Sequence, residues 1–299
     1  MNFRTDLAIE NKEMYHQGSE EDIEISGVEV ETSEMGTDIS ITKIKITDEN
    51  GSRALSKPIG NYVTLEVKGI LHGQDAQREE LKQKTAKALA KELKEMIQFH
   101  YHLKVLVIGL GNHKVTPDSL GPDTLSKVKI TRHFFLIYEA DGDEEMSCVS
   151  GFIPGVMGST GMETAELIKN AAEIVKPEVI IAVDALAARN IERISTTIQI
   201  SDTGISPGAG TGNMRKELNE KTVGIKVVAI GVPTVIDSKT LIMDTLSGFL
   251  TDHKGAEKYM EDNGAEMIVT STDIDQVIKD FSDIIANAIN ITLHPGIYS

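Results

Sequence analysis

Lys104-Val-Leu-Val-Ile-Gly-Leu-Gly-Asn112, followed two residues later by Val115-Thr-Pro-Asp-Ser-Leu-Gly-Pro122, carries the reading of this chain. An apolar run ends in glycines, and a carboxylate, Asp118, lies just beyond. A second segment repeats the arrangement: Val179-Ile-Ile-Ala-Val-Asp-Ala-Leu-Ala187 is an apolar run closed by Asp184. In an open parallel sheet, ligands sit at the carboxyl ends of the strands. Two strands delivering carboxylates to that edge make a candidate acid–base pair. Two such groups close together cannot both ionise easily, so they share a proton. A shared proton lets one member activate water while the other protonates a leaving amine. Taken singly, each aspartate also reads as a helix N-cap: Asp118 before Ser119-Leu-Gly-Pro122, Asp184 before a short helix near Ala185–Asn190.

Outward from these runs, strands and helices alternate. Thr37 to Ile46 alternates apolar and polar, Asp48-Glu-Asn-Gly51 reads as a turn, and Tyr62-Val-Thr-Leu-Glu-Val67 as a second strand, together an N-terminal hairpin. Residues 1–35 are acidic and weakly periodic, with Glu20-Glu-Asp22 as a solvated run. The spacing predicts helices over Gln74 to Phe99, Gly161 to Val175, Asp237 to about Leu250, and Ile274 to Ile291. Phe134-Phe-Leu-Ile-Tyr138, Thr197-Ile-Gln-Ile200 and Val227-Val-Ala-Ile-Gly231 read as further strands. The expected architecture is α/β: a mainly parallel sheet flanked by helices, in one domain with an N-terminal β-rich elaboration.

Composition excludes several classes. The chain has 299 residues and a net charge of -16, which argues against a nucleic-acid face, since that needs a basic surface. Its one cysteine, Cys148, permits no internal disulfide and reads as a small core residue in a reducing cytoplasm. The opening Met1-Asn-Phe-Arg-Thr-Asp-Leu7 has no apolar core of a secretory leader, and no run approaches a membrane span. Gly109-Leu-Gly111 suggests dinucleotide binding, but Lys114 occupies the place of the third glycine. Glu139, after the next apolar run, is then a weak stand-in for a ribose-binding acid. Gly204-Ile-Ser-Pro-Gly-Ala-Gly-Thr-Gly212 lacks the Gly-Lys-Ser/Thr ending of a phosphate loop and reads as a substrate-binding or plain surface loop. Ser159 does not make a nucleophile elbow, and the eight scattered histidines form no metal-binding spacing, so no cofactor or metal is expected.

Five segments in order carry a resemblance over essentially the whole chain: Arg4-Thr-Asp-Leu-Ala-Ile-Glu10, the 109–122 segment, Gly158-Ser-Thr-Gly-Met-Glu-Thr164, Val183-Asp-Ala-Leu-Ala-Ala-Arg189 and Gly231-Val-Pro-Thr-Val-Ile-Asp237. The chain resembles the spore germination endopeptidases, which degrade small acid-soluble spore proteins. That family is an unusual class of aspartic endopeptidase, with a fold similar to the hydrogenase maturation endopeptidases. The resemblance implies Asp118 and Asp184 as the catalytic aspartates. It also implies a zymogen that removes its own N-terminal propeptide, and substrates cut after an acidic residue and before an apolar one. Thr5-Asp-Leu-Ala8 imitates that pattern, so the implied processing bond is Asp6–Leu7. This gives a propeptide of residues 1–6, shorter than the family leads one to expect, and a peptidase domain of 7–299. The acidic residue before the cut needs a positive partner, for which Arg189 and Arg215 are the candidates. Further implications are a homotetramer, synthesis in the cytoplasm of the developing spore, and activation late in sporulation. Two other readings stay open: a maturation endopeptidase for a metalloenzyme, and a nucleotide-binding regulatory module.

Overall fold

A computed structural model of the chain describes residues 5–17, 25–70, 75–139, 142–208, 215–246, 249, 253–264 and 267–298. In chain order, α1 (Ala8–Gln17) precedes β1 (Val28–Met35) and β2 (Ile39–Ile46). Then come α2 (Glu49–Leu55), β3 (Gly60–Val67), α3 (Asp75–Ile97) and β4 (Lys104–Gly109). A 3-10 turn, Thr116–Asp118, leads to α4 (Leu120–Leu125), α5 (Arg132–Ile137), β5 (Cys148–Phe152), α6 (Met157–Thr160) and α7 (Thr164–Val175). β6 (Val179–Ala188), a second 3-10 turn at Ile191–Arg193, β7 (Thr197–Ser201), α8 (Glu220–Val223) and β8 (Lys226–Asp237) follow. The chain continues through α9 (Ser238–Leu246), α10 (His253–Asn263), β9 (Ile268–Thr270) and α11 (Ile274–Leu293). No helix among the described residues is long and apolar enough to cross a membrane.

Among the described residues the strands form one nine-stranded sheet, ordered β1-β2-β3-β7-β8-β6-β4-β5, with β9 on β8. The expected mainly parallel sheet is corrected to a mixed one. β5, β4, β6 and β8 run parallel, whereas β1, β2, β3 and β7 join antiparallel, as does β9. Apolar runs report burial on both faces, and that is why the parallel centre was readable. They carry no information on strand direction.

Side chains alternate across the sheet. Val105, Val107, Val179, Ile181, Val183, Val228 and Ile230 pack under α3, α4 and α11. Leu106, Ile108, Ile180 and Ala182 face the opposite way, against α7 and α8. A third apolar cluster on that second face gathers Leu7, Ala8, Ile44, Ile46, Leu186 and Ala188 beneath α1. Asp184, between Ala182 and Leu186 in the alternation, therefore points into the seam between the second and third clusters.

Three local expectations change. Asp48 to Gly51 is a helix start rather than a turn: the Asp48 carboxylate accepts from the N–H groups of Asn50 and Gly51 (2.8 and 2.9 Å), so β2 and β3 pair through α2. Phe134–Tyr138 is the end of helix α5 rather than a strand; Leu136, Ile137 and Tyr138 are exposed, and the strand beside β4 is β5. A run of four or five apolar residues does not separate the two conformations. The short helix near Ala185–Asn190 does not form. β6 continues to Ala188, so Asp184 is a mid-strand residue and not a cap. Glu20–Asp22, Gln74 and residues 209–212 of the glycine-rich segment lie outside the described residues.

Candidate active site

The two aspartates come from adjacent parallel strands by different routes. Asp184 projects directly from β6, opposite Gly231 of β8, and is buried. Its Oδ1 accepts from the Ala185 N–H at 2.9 Å. Asp118 ends the 3-10 turn after β4 and is not the N-cap of α4: that position is Ser119, which makes no side-chain cap bond. That turn is anchored from three sides. Asn112 N–H donates to the Asp118 carbonyl, and Asp118 N–H to Val115 (both 2.8 Å). Thr234, in β8, donates its hydroxyl to the Pro117 carbonyl at 2.7 Å. Thr234 can do so because β8 and β6 slip register there: Leu186 pairs with Pro233 and Ala187 with Val235, leaving Thr234 outside the ladder.

Glycines permit this close approach. A Cβ on Gly111 would lie 2.0 Å from the Asp118 carbonyl oxygen, and Gly111 has φ +111. A Cβ on Gly109 would lie 2.5 Å from the Gly121 carbonyl oxygen. The Gly-Leu-Gly motif thus packs the end of β4 against the Asp118 turn and α4.

Asp118 and Asp184 face one cavity of about 560 Å³, shared with Asp6, Asn112, Thr164 and Arg215. Burial pushes the Asp118 carboxyl up to about 6, and the Asn112 N–H opposes the shift. Asp184 is raised well above the usual carboxylate range, by burial first, then by the neighbouring charges of Asp118 and Asp6. Two neighbouring carboxyls, both raised, can share a proton, so that one acts as base and the other as acid. They also make the folded chain bind protons more tightly than the unfolded one. Their contribution to stability is full below the unfolded carboxylate range, near pH ~4, and is lost as pH rises through about 6 at Asp118. Asp118→Asn is therefore expected to gain melting temperature relative to the parent progressively between about pH 4 and about pH 7. A difference that stays constant across that range would contradict it.

Asp6 reaches the same cavity from the N-terminal segment. Its N–H donates to the Ala187 carbonyl at 3.0 Å, and its Oδ2 accepts from the Ala187 N–H at 2.8 Å. Its carbonyl oxygen accepts from Lys57 Nζ at 3.0 Å and from Gln199 Nε2 at 3.1 Å. Leu7 and Ala8, just beyond, are fully buried. Glu10 holds the segment down, accepting from the N–H groups of Arg189 and Asn190 at 2.7 and 2.8 Å, and from the Thr5 hydroxyl. The Thr5 hydroxyl accepts from the Leu7 N–H at 3.0 Å just before α1, and Asp6 pairs with β6 through Ala187.

Of the two candidate arginines, Arg215 lines the aspartate cavity. The Arg189 guanidinium instead pairs with Asp244, through Nε at 3.0 Å and Nη2 at 2.9 Å. The sequence reading missed Lys57, Gln199, Glu10 and Thr234. Glu10 and Thr234 lie within two of the segments that carry the resemblance, and Gln199 is the polar residue inside the apolar run Thr197-Ile-Gln-Ile200. Glu139 and Ser159 take no part in the cavity lining, and Cys148 is half-buried on β5.

Comparison with known proteins gives a consistent result. The family model described as germination protease matches residues 8–263. A germination protease of Clostridium tetani is 41% identical over 320 residues, covering 99% of this chain and 97% of its own. One from Caldanaerobacter subterraneus subsp. tengcongensis is 40% identical, covering 99% and 96%. One from Bacillus cereus strain AH187 is 48% identical over 258 residues, covering 85% of this chain and 68% of its own.

Proposed function

The chain belongs to the germination protease family, and from that membership we propose that it is a self-processing aspartic-type endopeptidase of spore germination, acting on small acid-soluble spore proteins. The observation that carries this reading is the convergence of Asp118, Asp184 and the chain's own Asp6 on one cavity. Asp6–Leu7 has the acidic–apolar character of the bonds the resemblance implies as substrates. Its acidic side chain lies near enough to Asp184 that its charge helps to raise that carboxyl. Residues 1–6 are then a propeptide, of which Asp6 reaches the site, and 7–299 the working peptidase, built in the spore cytoplasm and assembled as a homotetramer.

In this mechanism Asp118, the less buried of the two, is the ionised base that takes a proton from water. Asp184, more deeply buried and opposed by the neighbouring charges of Asp118 and Asp6, keeps its proton and serves as the acid. Coupled groups titrate as a pair, so the apparent pH limbs of activity belong to both. Arg215 is the partner for the substrate's acidic side chain. Arg215→Ala is expected to lower kcat/KM roughly 10–100-fold for a peptide cut after Asp or Glu. A matched peptide with Gln at that position should be cut equally by both enzymes; equal losses on both peptides would remove Arg215 from recognition.

The direct experiment is to incubate the protein with a small acid-soluble spore protein and sequence the fragments. New carboxyl ends at Asp or Glu with new amino ends at apolar residues are expected. An intact substrate, or cuts elsewhere, would contradict the reading.

A further inference from the structure

We propose that Lys57 and Gln199 are catalytic residues, the donor pair that holds the carbonyl oxygen of the bond being cut. The proposal rests on Asp6–Leu7 being the processed bond. Given that, the oxygen on which charge develops is the Asp6 carbonyl oxygen, and it is the one held by Lys57 Nζ (3.0 Å) and Gln199 Nε2 (3.1 Å). Preorganised donors at such distances from a developing oxyanion are a large source of rate in acyl transfer.

Both donors stand on fixed supports. Gln199 lies in β7, between β3 and β8, and is buried. Its Oε1 accepts from the Ala8 N–H at 2.7 Å, so one carboxamide grips the peptide groups on both sides of Leu7. Lys57 follows α2, where its N–H donates to the Ser52 carbonyl at 3.2 Å and its carbonyl accepts from the Ser52 hydroxyl at 2.8 Å. With the two Ala187 contacts, Asp6 is held at its N–H, its side chain and its carbonyl oxygen.

The step balances as a hydrolysis. Water oxygen bonds to the Asp6 carbonyl carbon and gives its proton to ionised Asp118. The C=O electron pair moves onto oxygen, facing the Lys57 ammonium and the Gln199 amide. Collapse reforms C=O and breaks the C–N bond, and the Leu7 nitrogen takes the proton of Asp184. The products are a carboxyl end at Asp6 and an amino end at Leu7. With the carbonyl oxygen held elsewhere, Asp184 is left free to serve the leaving nitrogen alone.

The test is the first-order rate at which the full chain acquires a Leu7 amino end, followed by mass spectrometry, in the parent, Lys57→Met, Lys57→Arg, Gln199→Glu and Asp118→Asn. Ala8 amide exchange in each variant reports whether the segment is still docked. Lys57→Met and Gln199→Glu are each expected to slow processing roughly 10²–10³-fold with Ala8 protection unchanged. Lys57→Arg, which keeps charged donors, should recover to within about tenfold of the parent. Gln199→Glu keeps the Ala8 contact and loses the donor, so it carries the test alone if Lys57→Met does not fold. Parent-like rates in Lys57→Met and Gln199→Glu, with Asp118→Asn inactive, would overturn this inference and leave the proposed function standing. Slow processing with lost Ala8 protection would reduce the pair to docking contacts and overturn it as well. A parent that never starts at Leu7 would overturn both.

Discussion

Asp118→Asn and Asp184→Asn are each expected to fold and to lose processing at Asp6–Leu7 by at least about 10³-fold. The size follows from the roles: general acid and general base contribute about 10²–10⁴ each, and an amide can serve as neither at neutral pH. The fold should survive because asparagine is nearly isosteric. At position 184 it can still accept from the Ala185 N–H through its Oδ1. It also removes a buried carboxyl that the neighbouring Asp118 and Asp6 charges oppose. The Asp184→Asn chain is therefore expected to melt no lower than the parent near neutral pH, while its activity disappears. Loss of activity together with a falling melting temperature would point to structural damage instead. Substantial residual cleavage in either variant would defeat the paired-aspartate mechanism.

The second large effect is structural. Gly121, at the start of α4, sits where a Cβ would lie 2.2 Å from the Leu110 carbonyl oxygen, 2.4 Å from that of Val183 and 2.5 Å from the Leu110 nitrogen. All three are backbone atoms, and the Leu110 N–H donates to the Val183 carbonyl at 2.8 Å. No side-chain rotation relieves such a contact, so β4, β6 and α4 must separate. Gly121→Ala is expected to cost about 3 kcal/mol or more, the upper part of the overpacking range. For a domain of this size that is a fall of roughly 6–12 °C in melting temperature. Activity should fall with it, because the strands forced apart carry Asp184 and lead to Asp118. Gly158→Ala, with no atom within 4 Å of its added Cβ, serves as the stability control and should melt close to the parent. A Gly121→Ala chain as stable as that control would show that the β4–α4 junction yields more easily than its backbone contacts imply.

The two aspartates were legible because each follows a run buried on both faces, where a carboxylate needs a reason to exist. The same runs placed β4, β6 and the start of β8 correctly, and the 3.6-residue spacing placed α3 and α11 to within a few residues. What β6 does after Asp184 was not legible: Ala-Leu-Ala-Ala suits a helix by propensity, and only pairing with β8 through Ala188 keeps it extended. Phe134–Tyr138 misled for the converse reason, an apolar run left largely exposed. The mixed strand direction was hidden because β7 enters between β3 and β8 from far along the chain. Lys57 and Gln199 were hidden by distance, meeting Asp6 across 51 and 193 residues of sequence. No local pattern records such a meeting.

The most direct measurement is the mass and amino end of the full chain, followed over time at mildly acidic pH beside Asp118→Asn and Asp184→Asn. Loss of residues 1–6 to give a chain starting at Leu7, in the parent alone, is the predicted result. A parent that keeps Met1, or variants that process as the parent does, would contradict the claim that these two aspartates cut the Asp6–Leu7 bond.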